Sequence, residues 1–207
     1  MKNPILISLF LTLVAINTQA ATRYAAQPTG SKMRVDGTSN IHDWVVESAL
    51  IGGWIEVDEK FPVDPAVTVV PGKFEVKALV SISVRSLKSG KTAMDVVMHE
   101  AMKFEKQPRI QYSIKTIAIK AAPAKAGDPV NVEAMGDLNV SGVSKPVTIN
   151  MTMQRTDKNE LIFTGQTAVK MTDFGITPPQ PKLALGLIKT GDEVKLKFEW
   201  RTQRAEK

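Results

Sequence analysis

Apolar and polar side chains alternate over residues 130–140, a pattern that no helix accommodates. The even positions hold Val, Ala, Gly or Leu, and the odd positions hold mainly Asn, Glu and Asp. A period of two is typical of a strand with one buried and one exposed face. The alternation resumes over residues 147–154, after residues 141–146, which have the composition of a turn. The two runs predict an antiparallel hairpin whose apolar sides share one face.

Similar one-sided runs recur along the chain. Gly52 and Gly53 interrupt one of them, which predicts a bulge or sharp bend at a barrel corner. The phase also shifts at Ile117, which predicts a second bulge. Residues 23–31 show no period and are expected to be a frayed lead-in. The other predicted strands lie at residues 32–38, 44–57, 73–87 (the longest), 109–116, 161–170 and 193–200.

One segment, residues 92–103, has helical spacing instead. Its apolar residues recur every three or four positions. Thr92 followed by Asp95 resembles a capping box, with Asp in place of the usual Glu or Gln. We therefore expect a helix that begins at Thr92. Its apolar face is expected to consist of Met94, Val97, Met98, Ala101 and Met102.

The number and kind of strands indicate the fold class. About eight mostly long strands with one apolar face each favour antiparallel sheet that closes on itself, because open edges of long strands need protection. The interior of an eight-stranded barrel is filled by side chains or holds one small ligand. We predict an all-β fold, a single antiparallel β-barrel of about eight strands with one helix.

The first twenty residues have the pattern of a secretory signal. Lys2 precedes a mostly apolar run over residues 5–16, and Thr18-Gln19-Ala20 offers small residues for cleavage. We expect a signal peptide over residues 1–20, a mature domain over 21–207 and a periplasmic or extracellular location. An uncleaved anchor is the alternative. With no cysteine, the chain has no disulfide, lipidated cysteine or thiolate metal site.

The net charge of +6 is spread along the chain. Basic residues form no long run, and aromatic residues are not interleaved with them, so nucleic acid is not an expected partner. The simpler interpretation of the charge is solubility. The functional alternative is transient contact with an anionic membrane surface. The sequence does not predict the oligomeric state.

Reactive groups are few. His42-Asp43 lies in a polar corner and His99-Glu100 lies on the helix, so the two histidines do not form a metal site together. No nucleophile-elbow motif and no glycine-rich phosphate loop is present. What remains is an interior rich in Met and aromatic side chains. These either pack as ordinary core or line a cavity for an apolar ligand.

Four segments, taken in order, resemble the YceI-like family of secreted bacterial proteins. They are residues 35–44, 80–90 with the following helix and residues 104–112, 136–147, and 171–176 with 191–194. The resemblance implies a lipocalin-like antiparallel barrel whose tunnel holds a long isoprenoid or similar lipid. The chain departs from the pattern at Thr38-Ser39, where many members carry a His-Ser pair, and in the helix, which lacks the usual basic-acidic-His-Leu run. These departures indicate a divergent branch.

We therefore expect a lipid-binding protein for storage or transport, with no catalysis. An isoprenoid, an isoprenoid quinone or a fatty-acyl lipid is the expected ligand, and no other cofactor or metal is expected. The alternatives are a ligand-free interaction or stress-protective module with a filled core, and a hydrolase that uses His42 and Asp43. Residues 172–189 are expected to form a lid. The candidate ligand-binding residues are Trp44, Trp54, Val80, Ile82, Met94, Met98, Phe104, Tyr112, Leu138, Met151, Phe163, Phe174 and Phe198.

Overall fold

The computed structural model describes residues 21–180 and 188–206. These residues form ten strands, one α-helix and two short 3-10 helices, at Val84–Ser86 and Thr172–Phe174. The strands and the α-helix are β1 (Thr22–Ala26), β2 (Lys32–Ser39), β3 (Trp44–Ser48), β4 (Gly52–Val57), β5 (Gly72–Ser83), α1 (Thr92–Ala101), β6 (Arg109–Ile119), β7 (Val130–Val140), β8 (Val143–Arg155), β9 (Glu160–Lys170) and β10 (Thr190–Arg204).

Eight of the strands close a ring. β1 pairs with both β4 and β10, and β4 to β10 pair in sequence order, always antiparallel. The predicted all-β antiparallel barrel of about eight strands is therefore confirmed. The other two strands extend its wall: β2 pairs with the first part of β10, β1 pairs with the last part, and β3 pairs with β2. A single bridge between Glu47 and Lys88 joins β3 to the segment after β5.

The strand that closes the ring lies where a frayed lead-in was expected. β1 pairs Tyr24 with Arg204 of β10 and with Ile55 of β4. The expectation for residues 23–31 was wrong because a five-residue strand with one fully buried side chain, Tyr24, is too short to show a period.

The predicted hairpin is formed by β7 and β8, with apolar pairs such as Val132–Met151 and Ala134–Ile149 on one face. Its turn is shorter than expected. Only Ser141 and Gly142 lie outside the strands, both with positive φ (53° and 83°), as a two-residue hairpin turn with right-handed strand twist requires. Pro146 lies within β8, where β9 is not yet paired: the register of β8 with β9 begins at Met151.

The longest strand is not the predicted one. β5 ends at Ser83 and a 3-10 turn follows, so residues 73–87 are not the longest strand. The longest is β10, with 15 residues. The first and last residues of β10 include Gly and several charged side chains. They therefore do not continue the alternation of apolar and polar residues. The two predicted irregularities are present: Gly53 has φ +121°, and the pairing of β6 with β7 shifts between Ile114 and Thr116.

The helix α1 begins at Thr92, as expected, but not through a capping box. Lys91 is the N-cap residue and makes no side-chain cap. The Asp95 carboxylate instead accepts hydrogen bonds from the backbone N–H and the hydroxyl of Ser89, both at 2.7 Å. Asp95 thus ties the first turn of the helix to the segment that precedes it.

We expect the Asp95 contact to make stability depend on pH in the acid range. Burial opposes ionisation of Asp95, but the two Ser89 hydrogen bonds and the Lys88 charge outweigh it and lower the pKa below its ordinary value of 3.8. Stabilisation is then complete above the unfolded pKa and is lost as the pH falls through the lowered folded value. Asp95→Asn should reduce the free energy of unfolding by about 1–3 kcal/mol at neutral pH.

Urea unfolding of both proteins across the acid range measures this difference, which should shrink towards zero at the lowest pH. Asp157→Asn, on the exposed β8–β9 turn, is the matched control and should change little. A difference between Asp95→Asn and the parent that stays constant with pH would contradict the assignment.

One end of the barrel is closed by the loop over residues 58–71. Phe61 and Val69 of this loop are buried, and the buried Arg155 guanidinium donates from Nη1 to the carbonyl oxygens of Asp64 and Val67. Burial lowers the pKa of Arg155. In the described part of the chain, no helix is long and apolar enough to cross a membrane.

Candidate functional site

The half of the barrel away from the capping loop contains a cavity of about 430 Å³. Its wall comes from β2, β3 and β5 to β10, and α1 covers it. In the half nearer the loop, Ile55, Phe61, Met153 and Leu161 are fully buried instead. The β2–β3 hairpin continues the barrel wall beyond the end of β1. It therefore forms the part of the cavity wall that β1 does not reach.

Eleven of the thirteen predicted residues lie in the wall of this cavity, all except Trp54 and Phe104. They come from strands at opposite sides of the barrel and from the helix, so the closed fold brings them together. The eleven are Trp44, Val80, Ile82, Met94, Met98, Tyr112, Leu138, Met151, Phe163, Phe174 and Phe198.

Trp54 and Phe104 lie outside the lining. The Arg23 guanidinium stacks over the Trp54 ring at 4.2 Å, and that of Arg85 stacks over Phe104 at 4.6 Å. Trp54 directly follows Gly53 within β4, and the inward face of β4 belongs to its neighbour Ile55, which has no exposed surface. Phe104 follows the end of α1 at Ala101, and its ring lies beneath the Arg85 guanidinium and not in the cavity wall.

The helix presents one apolar face to the cavity. That face consists of the residues predicted from the spacing, Met94, Val97, Met98, Ala101 and Met102. Two contacts hold the helix in place: His99 Nε2 lies 3.1 Å from the Leu87 carbonyl oxygen, and the Ser141 hydroxyl donates to the Met102 carbonyl. Flexible methionines therefore form much of the cover over the cavity, and such side chains adapt to ligands of different shape.

Tyr112 is the polar side chain deep in the wall, and its hydroxyl is already occupied. The hydroxyl lies 2.9 Å from the carbonyl oxygens of both Ala134 and Val147, between which its hydrogen is shared. Burial raises the pKa of Tyr112, so the phenol stays neutral at any physiological pH. The Tyr112 hydroxyl therefore offers a ligand neither charge nor a free hydrogen bond. The indole Nε1 of Trp200, another lining residue, is buried and has no hydrogen-bond partner among the described residues.

Four further polar lining residues, Ser39, His42, Lys91 and Thr190, come from the ends of strands and from the loops beside them, whereas Thr167 lies within β9. The His42 ring contacts the backbone carbonyl of Asp43 through Nδ1 at 2.8 Å, and not its carboxylate. A hydrolase would need His42 to be oriented by an acid beside a nucleophile. The hydrogen bonds of the described residues contain no such arrangement around His42.

Among residues 21–180 and 188–206, no group of three or more His, Asp or Glu side chains has the spacing of a metal site. The cavity itself counts against the alternative of a ligand-free module, since that hypothesis required an interior filled throughout.

The expected lid falls partly outside the described residues, since residues 181–187 are not among them. The described part of the connection borders the cavity through Phe174, Ile176, Pro179 and Ile188. Phe174 is buried, and Thr190 Oγ1 donates to the Pro179 carbonyl oxygen. A lid over residues 172–189 remains a prediction.

The inward row of the predicted hairpin lies only partly along the cavity. Within the inward row of the hairpin, Leu138, Val140, Ile149 and Met151 line the cavity, whereas Met153 lies in the packed half. Lys91 and Thr190 were missed altogether, because a polar residue at the end of an element carries no periodic signal. Only the closed barrel places those ends beside one apolar space.

Comparison with known proteins gives one family. The model of the YceI-like domain matches residues 24–202 of the chain. Among curated proteins, none matches.

Solved structures share the fold. A polyisoprenoid-binding domain from Saccharophagus degradans, implicated in plant cell wall breakdown, has a TM-score of 0.66 and 12% identity, covering 88% of this chain and 98% of that chain. BcnA of Burkholderia cenocepacia has a TM-score of 0.61 and 17% identity, covering 83% and 95%. The Campylobacter jejuni YCEI protein has a TM-score of 0.52 and 16% identity, covering all of both chains. At these identities the likeness concerns the fold.

Proposed function

Because the chain belongs to the family of YceI-like domains, we propose that it is a secreted or periplasmic lipid-binding protein. It holds the chain of an isoprenoid, an isoprenoid quinone or a fatty-acyl lipid in the barrel, for storage or transport, without catalysis. The observation that carries this proposal is the apolar cavity under α1. Its volume of about 430 Å³ lies within the roughly 300–1,000 Å³ range of small-molecule sites. The polyisoprenoid-binding domain of Saccharophagus degradans supports the choice of ligand class.

The energetics of burial suit this function. Each methylene equivalent removed from water contributes about 0.8 kcal/mol, so ten buried carbons contribute about 8 kcal/mol before the cost of ordering the chain. No reactive group is needed for that gain, and Tyr112 is unavailable for chemistry because backbone carbonyls occupy its hydroxyl. The adaptable methionines of α1 fit a ligand whose chain takes more than one shape.

The location rests on the amino-terminal sequence. Lys2, the apolar run over residues 5–16 and the small residues near Ala20 support export and cleavage. Exchange of a membrane lipid requires a visit to the membrane surface, which the net charge of +6 favours for anionic membranes.

Extraction of the exported protein tests the proposal. The full sequence, expressed in a Gram-negative host, should be released by osmotic shock with its amino terminus near residue 21. Organic extraction and mass spectrometry of the purified protein should yield about one apolar lipid per chain. Protein that stays in the cytoplasm would contradict the location. Protein that is empty and also takes up no isoprenoid, quinone or fatty acid would contradict the function.

A further inference from the structure

The charged side chains of the cavity are distributed unevenly. Among the described lining residues, His42 and Lys91 are the two with basic side chains, and neither Asp nor Glu lines the wall. His42 follows the end of β2, and Lys91 immediately precedes α1, so both stand where the apolar wall gives way to loops. The remaining wall is almost wholly aliphatic, aromatic or Met side chains. The cavity is thus apolar inside, and the charge at its rim is basic only.

Lys91 has no ionic partner among the described residues. Its neighbour Lys88 lies 3.8 Å from Asp95, whereas Lys91 takes part in no salt bridge there. Lys91 is exposed to solvent. The positive end of the α1 dipole adds to the same field.

His42 is held so that one ring nitrogen remains available. The Ser39 hydroxyl accepts hydrogen bonds from the backbone N–H of Ile41 and of His42 and donates to the His42 carbonyl, which fixes the corner. Because a carbonyl oxygen only accepts, Nδ1 carries the hydrogen in its 2.8 Å contact with Asp43. Nε2 has no partner among the described residues. Once protonated, it becomes a charged donor at the rim.

We propose that the ligand is an anionic amphiphile whose carboxylate or phosphate headgroup lies at this rim, beside Lys91 and His42, with its tail in the cavity. This inference rests on the proposed lipid-binding function and narrows it. A neutral alcohol or quinone of the same chain length buries the same apolar surface. It forms no ionic contact with Lys91 or His42, which then remain hydrated. Two exposed basic groups together give about a tenfold preference for the anion.

Two matched ligand pairs test this preference. One pair is palmitic acid and hexadecanol, and the other is geranylgeranyl phosphate and geranylgeraniol. Within each pair the hydrocarbon chain is constant and only the headgroup charge differs. Binding to the delipidated full-length mature protein is measured by tryptophan fluorescence at low and at high salt. The anion of at least one pair should bind about tenfold more tightly than its alcohol, and salt should reduce the difference. The pair with the larger difference distinguishes a carboxylate from a phosphate ligand.

Substitutions of the two rim residues test whether they cause the preference for the anionic lipid. Lys91→Met and His42→Gln should each reduce binding of the anion and together abolish the preference, while binding of the alcohol stays constant. Lys77→Met, on the exposed outer face of β5, is the matched control and should retain the full preference. Equal affinity for acid and alcohol, or a preference that survives in the double variant, would overturn the inference and leave the lipid site standing. If none of the four lipids binds and an isoprenoid quinone is not taken up either, the proposed function fails as well.

Discussion

Gly53→Ala should prevent folding or reduce the free energy of unfolding by at least about 3 kcal/mol, a large part of the stability of a single domain. Gly53 has φ +121°, which L-residues rarely adopt. A Cβ atom there would lie 1.8 Å from the carbonyl oxygen of Leu79 on β5. The clash is with backbone inside the β4–β5 pairing, so relief requires the two strands to separate.

Gly52→Ala is the matched control for this prediction. A Cβ atom at Gly52 would approach the Ser81 carbonyl oxygen no closer than 3.5 Å, an ordinary contact, and its φ is not positive. Its free energy of unfolding should change by less than about 1 kcal/mol. Urea unfolding followed by tryptophan fluorescence measures both variants. Equal effects at the two positions would show that the bend at Gly53 does not require glycine.

Filling the cavity from the helix should abolish lipid binding while the barrel remains folded. Val97 and Ala101 are one turn apart on α1 and both line the cavity. In the double variant Val97→Trp/Ala101→Trp, two indole rings occupy the space under the helix. The amount of lipid extracted per chain should fall from about one to near zero, and the uptake of added palmitic acid should fall at least tenfold. Mass spectrometry and fluorescence titration measure the two quantities.

The control keeps the same helix and the same new residues. Val96 and Glu100 are also one turn apart but exposed, and neither lines the cavity. Val96→Trp/Glu100→Trp should therefore bind lipid like the parent. Circular dichroism shows whether both double variants keep the strand content of the parent. Full lipid binding by a folded Val97→Trp/Ala101→Trp variant would place the ligand elsewhere.

The elements with the strongest periodicity were predicted best. β7 and the helix that begins at Thr92 begin where the pattern placed them, and the phase shift at Ile117 marked a real irregularity in β6. The errors concern features without a period. β1 is too short for one, and the hairpin turn at Ser141 was overextended because the exposed residues 144–146 have turn composition while belonging to β8.

For the candidate site, too, the prediction succeeded where the sequence is periodic and failed where it is not. The apolar rows identified eleven lining residues, because an inward-facing row must bury its side chains whichever strands it meets. The pattern did not distinguish a row that fills the core from one that faces a cavity. Met151 and Met153 belong to one row of β8, yet Met151 lines the cavity and Met153 is packed in the closed half.

The sequence by itself determined the antiparallel all-β class, the inward face of most strands and the apolar face of α1, since these depend on the order of side chains along a short segment. Only the tertiary structure decided which part of the barrel contains the cavity. That outcome depends on β1 and β2 lying end to end along β10, and on the loop over residues 58–71 closing one end while α1 covers the other. The tertiary structure also decided which residues lie at the rim. Lys91 and His42 are distant in the chain, and only the folded barrel places both beside one cavity.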